Sequence, residues 1–243
     1  MPRFFVKNEQ IKELRAEIFG DDARHIARSL RMREGDEVSL CDEDGGEYRA
    51  TLTKIRDELC ELDIIEKVDT DAEPPYSLTL FMAYPKGDKL ELVVQKATEL
   101  GAHRIVPFYS SRCIKRPHPD SLEKQTKRLS RIAEEAAKQS RRSKIPTVEC
   151  GVDFSEVCAE AKGFDAALFC YEGASADSTV KRALSGKPQK IAVVIGSEGG
   201  FSPEEAELAQ KSGFVPVSLG KRILRCETAP IFALSVISYE LEL

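Results

Sequence analysis

The sequence predicts an α/β protein in two parts: a small antiparallel β-barrel, then a domain of alternating strands and helices over a mainly parallel sheet. Three observations carry this expectation. Short β-rich runs fill the first part of the chain, and from Leu78 onward strand-like and helix-like segments take turns. Between them lies TDAEPPYS, Thr70 to Ser77, acidic and stopped by two prolines, as linkers are. Domains are therefore expected at residues 1–72 and 73–243.

In the first part, Arg3–Val6, Glu37–Cys41, Glu47–Ile55 and Leu59–Val68 alternate in polarity or are β-rich, and Gly45-Gly46 marks a hairpin turn. One short helix is expected at about Asp22 to Leu30. In the second part the expected strands are Leu78–Ala83, Arg104–Phe108, Thr147–Cys150, Ala166–Tyr171, Ile191–Ile195 and Val215–Leu219. The helices between them are Lys89–Leu100, Ser121–Gln139, Phe154–Ala161, Ser178–Leu184, Pro203–Ser212 and about Pro230–Leu241. No internal repeat or low-complexity tract interrupts the pattern.

The 243 residues carry a net charge of −5 and suffice for one or two domains with a sizeable core. No apolar stretch is long enough to span a membrane, and MPRFFVKNEQ lacks the apolar core of a signal peptide, so a cytoplasmic protein without membrane attachment is expected. The seven cysteines form no CxxC pair and sit mostly in apolar or strand-like runs, which reads as reduced packing residues. His25, His103 and His118 have no ligand spacing to a cysteine, so no metal is expected.

The functional signal lies late in the chain. Ile191–Ile195 is apolar throughout, the pattern of a parallel strand buried on both faces. It runs into GSEGGFSPEE, in which Ser202 is the expected N-cap, Pro203 the first helical residue and Glu205 the closing member of a capping box. Gly196, Gly199 and Gly200 thus sit between a strand end and a helix start, where open parallel sheets bind ligands. The P-loop string GxxxxGK[ST] is absent, and the glycine spacing is not that of a dinucleotide fingerprint. Glu198 would repel a phosphate, so a ligand with a hydroxyl-rich sugar or a cationic centre fits better than a nucleotide triphosphate. A tight structural turn is the bland alternative. The next loop, GKRILRCETAP from Gly220 to Pro230, combines three basic residues with Ile223-Leu224 and Glu227. A helix lead-in with Thr228 as N-cap explains only part of it.

These two loops together resemble the paired cofactor loops of the ribosomal RNA small-subunit methyltransferase E family, of the SPOUT class. HIARSLRMREGDEV, KGDKLELVVQKATELGAHRIVPF and RIAEEAAKQSRR agree with the same family, so the likeness runs along essentially the whole chain. Ser197 and Cys226 stand where the family usually has proline and threonine. The resemblance implies a PUA-like barrel and a C-terminal trefoil knot binding S-adenosylmethionine. It also implies methylation of uridine N3 in 16S rRNA, as naked RNA or assembled small subunit, and a homodimer. The cofactor site it implies takes Ile195, Gly196, Glu198, Gly199 and Gly200 from the first loop. Leu219, Gly220, Ile223, Leu224 and Arg225 come from the second, with backbone groups of Leu219, Ile223 and Leu224 reading adenine. A third strand end, with Cys170, Tyr171 and Glu172, closes the pocket. Arg225 or Arg222 would stabilise negative charge developing on uracil, and Glu198 would accept the proton or fix the cofactor.

The charge distribution agrees with an RNA partner. Arg112 to Lys144 holds eleven Lys/Arg against four Asp/Glu. On the expected helix Ser121–Gln139, Lys124, Lys127, Arg128, Arg131 and Lys138 share one face over roughly 21 Å, opposite Leu122, Leu129, Ala133 and Ala136. Arg141 and Arg142 continue the charge. In the first domain Arg24, Arg28 and Arg31 follow at i, i+4 and i+7 beside Ala23, Ile26 and Leu30. Two solvated basic faces are the bland reading, and two phosphate-tracking faces the functional one. The rival functions are an RNA-binding module without catalysis, a SPOUT enzyme acting on another RNA, and an ATP-using enzyme. The last helix, with Ile231, Phe232, Leu234, Val236, Ile237 and Leu241, is apolar over most of its girth, which suits burial on two sides.

Overall fold

The structure is a computed structural model that describes residues 1–243 except Thr70 and Lys115. Thr70 opens the expected linker and Lys115 belongs to the basic tract, so both lie outside the described residues. The chain forms two compact units. The first is Met1–Glu73 with Ala137–Lys144, and the second Pro74–Ala136 with Ile145–Leu243. The sequence reading cut the chain after residue 72 and left residues 137–144 with the second unit.

In the first unit β1 (Arg3–Phe5), β2 (Ile11–Lys12), β3 (Arg15–Phe19), β4 (Glu37–Cys41), β5 (Glu47–Ile55) and β6 (Leu59–Val68) form one sheet in the order β1-β4-β5-β6-β3-β2. The hairpin at Gly45-Gly46 forms, with β4 and β5 antiparallel from Glu37↔Thr51 to Cys41↔Glu47. The sheet is not wholly antiparallel, because β1 runs parallel to β4. β2 and β3 were missed: β2 has only two residues, and the charged residues of β3 sit on its solvent side beside buried Ala16 and Ile18.

The expected helix of residues 22–30 is two pieces. Helix α1 (Gly20–Arg24) passes into a wide π turn, His25–Ser29, in which the Leu30 N–H donates to the His25 carbonyl. Ala23 and Ile26 are buried, but the wider turn leaves Leu30 exposed. Arg31 then adopts a positive φ of 52° and leaves the helix. The regular arginine spacing at 24, 28 and 31 therefore does not make one stripe.

Residues 137–144 are tied to this unit by buried charge. Arg142 is only 2% exposed and pairs with Glu73 at 2.7 Å, and the same carboxylate accepts from the Ser143 and Lys144 amides. Arg3 donates to the Arg141 and Arg142 carbonyls and to Glu47, which also accepts from Ser39. Arg142 was expected on the RNA surface; its guanidinium is enclosed and committed, so that expectation is corrected.

The second unit is a wholly parallel sheet. Along the chain come β7 (Ser77–Ala83), α2 (Lys89–Glu99), β8 (Arg104–Tyr109), α3 (Leu122–Ser140), β9 (Thr147–Val148), β10 (Val152–Asp153), α4 (Phe154–Glu160), β11 (Ala166–Cys170), α5 (Val180–Ala183), β12 (Lys190–Ile195), α6 (Pro203–Ser212), β13 (Val215–Val217) and α7 (Thr228–Glu242). The strand order is β10-β8-β7-β12-β11-β13, with β9 also on β8. Central β12 is buried from Ile191 to Ile195, as its unbroken apolar run requires. α6 begins with the Ser202–Glu205 capping box and Pro203 at its first turn. Thr228 is not an N-cap: it is already helical, and Glu227 precedes it in helical backbone.

Because Arg142 is enclosed, its partner matters more than any surface ion pair. Glu73→Ala is expected to lower unfolding free energy by about 3 kcal/mol, since it removes the carboxylate paired with a buried guanidinium. Denaturant titration checks this, and a change under about 0.5 kcal/mol would show that solvent reaches Arg142.

Candidate active site

Parallel pairing sets the strand ends of the second unit level. Cys170 of β11 is in register with Ile195 of β12 and with Val217 of β13. The loops that follow these three residues open on one cavity of about 520 Å³. Of the residues expected at the cofactor site, Cys170, Tyr171, Glu172, Ile195, Gly196, Glu198, Gly200, Leu219, Gly220, Ile223, Leu224 and Arg225 line it, as does Arg222. Gly199 does not appear in that lining. Its missing Cβ would stand 3.0 Å from the Arg112 Cβ, and its carbonyl accepts from the Arg112 guanidinium at 2.9 Å.

The glycine loop is a tight turn held at both ends. The Gly200 N–H donates to the Ser197 carbonyl at 2.9 Å, and Gly200 has a φ of +62° that a side chain rarely tolerates. Ser197 donates its hydroxyl to the Arg112 carbonyl at 3.3 Å, a further tether on the loop. Phe201 anchors the far end in the core, its ring 4.5 Å from that of Phe169 and 5.5 Å from that of Phe154. The Ser111 amide donates to Glu205, joining the segment that carries Arg112 to the cap of α6.

Sequence reasoning missed the residue that joins the loops. Lys89, in the first turn of α2, places its ammonium 2.9 Å from Glu198 and 3.2 Å from Glu227. The Glu198 carboxylate also accepts from the Lys86 amide. Burial works to raise the Glu198 pKa, but Lys89, the Glu198 and Lys86 amides and the Cys226 thiol outweigh it and hold the carboxyl at about 2. Lys89 itself is raised by its hydrogen bonds to Glu198 and then Glu227. Cys226 is buried and its thiol is pushed up to about 12, by burial first and then by the neighbouring Glu227 and Glu198 carboxylates. Lysines this far from the loops in sequence carry no local signal; only the string KGDK after a strand end hints at it.

Arg222 and Arg225 are both exposed on the last of the three loops, and Ile223 between them is 89% exposed. This explains the arginine-flanked apolar pair: it is a surface of the site, not core. On α3, Leu129, Ala133 and Ala136 are buried, and Lys124, Lys127, Arg128 and Arg131 are exposed as expected. Part of the charge is compensated, Arg128 by Glu91, Arg131 by Glu135 and Lys127 by Glu123. Lys138 leaves the stripe, pairing with Asp22 at 3.1 Å. In the first unit Arg24 pairs with Asp21 and Glu58, and Arg28 with Asp57. Arg31 and Arg141 are exposed. All seven cysteines are free thiols. Among the described residues no helix is long and apolar enough to cross a membrane.

Comparison with known proteins accounts for both units. Residues 72–238 match an RNA methyltransferase domain family and residues 19–65 an RNA methyltransferase PUA domain. The chain is 36% identical to the ribosomal RNA small subunit methyltransferase E of Bacillus subtilis, covering 100% of this chain and 98% of that protein. It is 35% identical to the protein of the same name from Synechocystis, over 99% of this chain and 78% of that one. The solved structure of a Neisseria gonorrhoeae ribosomal RNA small subunit methyltransferase E bound to S-adenosyl methionine superposes with a TM-score of 0.85. It is 29% identical, over 98% of this chain and 97% of that one. The fold is thus a PUA-like domain followed by a SPOUT methyltransferase domain. The chain belongs to the ribosomal RNA small subunit methyltransferase E family.

Proposed function

We propose that the protein methylates N3 of a uridine in 16S rRNA of the small ribosomal subunit, in the cytoplasm, with S-adenosylmethionine as methyl donor. The observation that carries this reading is the cavity on which three level strand ends converge, with glycine backbone, apolar side chains and a pair of arginines in its lining. The donor fits those residues. Gly196 keeps its backbone open to the cavity, since a Cβ built there would crowd the loop at 3.0 Å from the Phe201 ring. Leu219, Ile223 and Leu224 offer apolar contact and backbone groups to an adenine, and Glu198 offers an ionised carboxylate. When bound, S-adenosylmethionine supplies a methyl group already activated on a sulfonium.

The protein's contribution is positioning and charge. Arg225 and Arg222 stabilise the negative charge that develops on the uracil ring as N3 loses its proton, a preorganised electrostatic role. Glu198, ionised and held by the Lys89 ammonium and the Lys86 amide, is assigned to fixing the loop and the donor, and the N3 proton leaves to solvent. Ordering of donor and base in one cavity supplies the rest. Lys124, Arg128, Arg131 and Arg141, with Arg24, Arg28 and Arg31 of the PUA-like unit, are assigned to RNA phosphates. On α7, Phe232 and Tyr239 are exposed on the side away from buried Ala233, Leu234 and Ile237. This apolar side is proposed as part of a homodimer interface. The trefoil knot remains what membership of the SPOUT class implies.

The direct test is transfer of labelled methyl from the donor to 16S rRNA or small subunits. Incorporation is expected with the wild type, and an RNA-binding module without catalysis would give none. Gly200→Val is expected to weaken donor binding at least tenfold by calorimetry, because a β-branched residue at this positive φ costs about 1–2 kcal/mol or moves the turn. Unchanged affinity would remove the loop from the site. Charge reversal at Lys124, Arg128 and Arg131 is expected to weaken RNA binding and flatten its salt dependence without changing donor affinity. RNA affinity unaltered at low salt would leave α3 a solvated face. Sedimentation should give a dimer for the wild type and a monomer for Phe232→Asp with Val236→Asp; a wild-type monomer at micromolar concentration rejects the interface.

A further inference from the structure

The arginines of the second unit fall into two groups. Among the described residues, Arg104 pairs with Glu149 and Glu160, Arg128 with Glu91 and Arg131 with Glu135. Arg112, Arg116, Arg222 and Arg225 are exposed and have no carboxylate at ion-pair distance. Arg112 and Arg116 donate instead to the Gly199 and Ser110 carbonyls, at 2.9 and 2.8 Å, so neither charge is neutralised. Glu204, in the first turn of α6, feels the Arg112 charge from beyond that distance, and Glu205 is committed to the Ser202 and Ser111 amides. These four arginines lie on two loops, residues 110–117 after β8 and 218–227 after β13.

Both loops leave the same edge of the sheet. Ile195 is in register with Met82 and Met82 with Pro107, so β8, which ends at Tyr109, reaches the level at which β12 ends. The glycine loop after β12 stands between them, with β8 and β13 four strand spacings apart, roughly 19 Å. The β8 loop is pinned. Cys113 is buried, its amide donates to the Ser110 carbonyl at 3.2 Å, and the Tyr109 hydroxyl donates to the Pro117 carbonyl at 2.9 Å. The pinning leaves Ile114 72% exposed between Arg112 and Arg116, just as Ile223 is 89% exposed between Arg222 and Arg225. An isoleucine held out in water contributes nothing to the core. Two of them, each bracketed by uncompensated arginines beside one cavity, suit a partner that is at once anionic and apolar.

We propose that the loops after β8 and β13 together hold the single RNA strand that carries the target uridine. Arg112 and Arg116 take phosphates on one side of the glycine loop and Lys221 and Arg222 on the other, while Ile114 and Ile223 pack against unstacked neighbouring bases. This rests on the reading that the substrate is RNA methylated at uracil N3. That atom lies on the Watson–Crick edge, so the uridine is unpaired when it reacts, and an unpaired strand offers both phosphates and bare base faces. Apolar side chains such as isoleucine fill the gaps between unstacked bases, and arginines beside them track the backbone. A second subunit is the poorer occupant: a loop meeting its own copy across a two-fold axis sets arginine against arginine. The α3 stripe, whose Lys127, Arg128 and Arg131 are already paired, is left to more distant phosphates.

Arg112 also holds the glycine loop, so Arg116 and Ile114 carry the test. It is binding of unmethylated 16S rRNA across a salt series, with calorimetry of S-adenosylmethionine as the folding control. Arg116→Gln is expected to weaken RNA binding roughly three- to tenfold and to reduce the slope of log affinity against log salt by about 0.7. Ile114→Ser is expected to lower kcat/KM for methyl transfer about tenfold with that slope unchanged, since an apolar contact releases no counterions. Arg182→Gln removes an exposed arginine of α5, away from both loops, and should alter neither quantity. Wild-type behaviour of Arg116→Gln and Ile114→Ser, or an equal loss in Arg182→Gln, overturns the inference. A dimer that becomes a monomer on either loop substitution makes the loop a subunit contact and overturns it too. Ultraviolet cross-linking of the wild type to 16S rRNA needs no variant: adducts are expected on residues 110–117 and 218–227, and adducts confined elsewhere contradict the inference. A wild type that binds the donor but no 16S rRNA sinks the functional reading, and the inference with it.

Discussion

The parallel register that sets Cys170 level with both Ile195 and Val217 is the constraint on which the site depends. A strand displaced by one residue would turn its inward side chains outward and move its loop by about 3.3 Å. The register is enforced by burial, because β12 is enclosed from Ile191 to Ile195 and β11 from Ala166 to Phe169. A core that tolerates no slippage thereby delivers three loops to one place. Phe201 extends the same logic into the glycine loop, which is held by aromatic packing below and by Arg112 beside it.

Charge is sorted within that frame. Lys89 stands between the Glu198 and Glu227 carboxylates, while the arginines of the last loop stay exposed. The contacts that fix the Glu198 carboxylate in place, from the Lys89 ammonium and the Lys86 amide, also favour its ionised form.

Much of this was legible in the residues. Ile191–Ile195 and Ser202–Glu205 announce a buried parallel strand and a capped helix because period and capping are local properties. The two glycine- and arginine-bearing loops stood out for the same reason. What escaped was set by distant partners. Lys89 gains its role from Glu198 and Glu227, more than a hundred residues away, and Arg142 looked like RNA-binding charge until Glu73 enclosed it. The stripe of Arg24, Arg28 and Arg31 failed for a backbone reason, since a π turn shifts the 3.6-residue period on which the spacing argument rests. Two-residue β2 is below the length at which alternation can be read at all.

The central claim is that donor and uracil meet in this cavity with N3 as the accepting atom. Reverse transcription across 16S rRNA, before and after treatment of unmethylated small subunits with the protein and S-adenosylmethionine, tests it most directly. Methyl on N3 removes the Watson–Crick donor of uracil, so a new stop one nucleotide before a single uridine is predicted, matched by one added methyl at that nucleotide by mass. A methyl found on a ribose hydroxyl or on another base, with no stop at a uridine, would contradict the account.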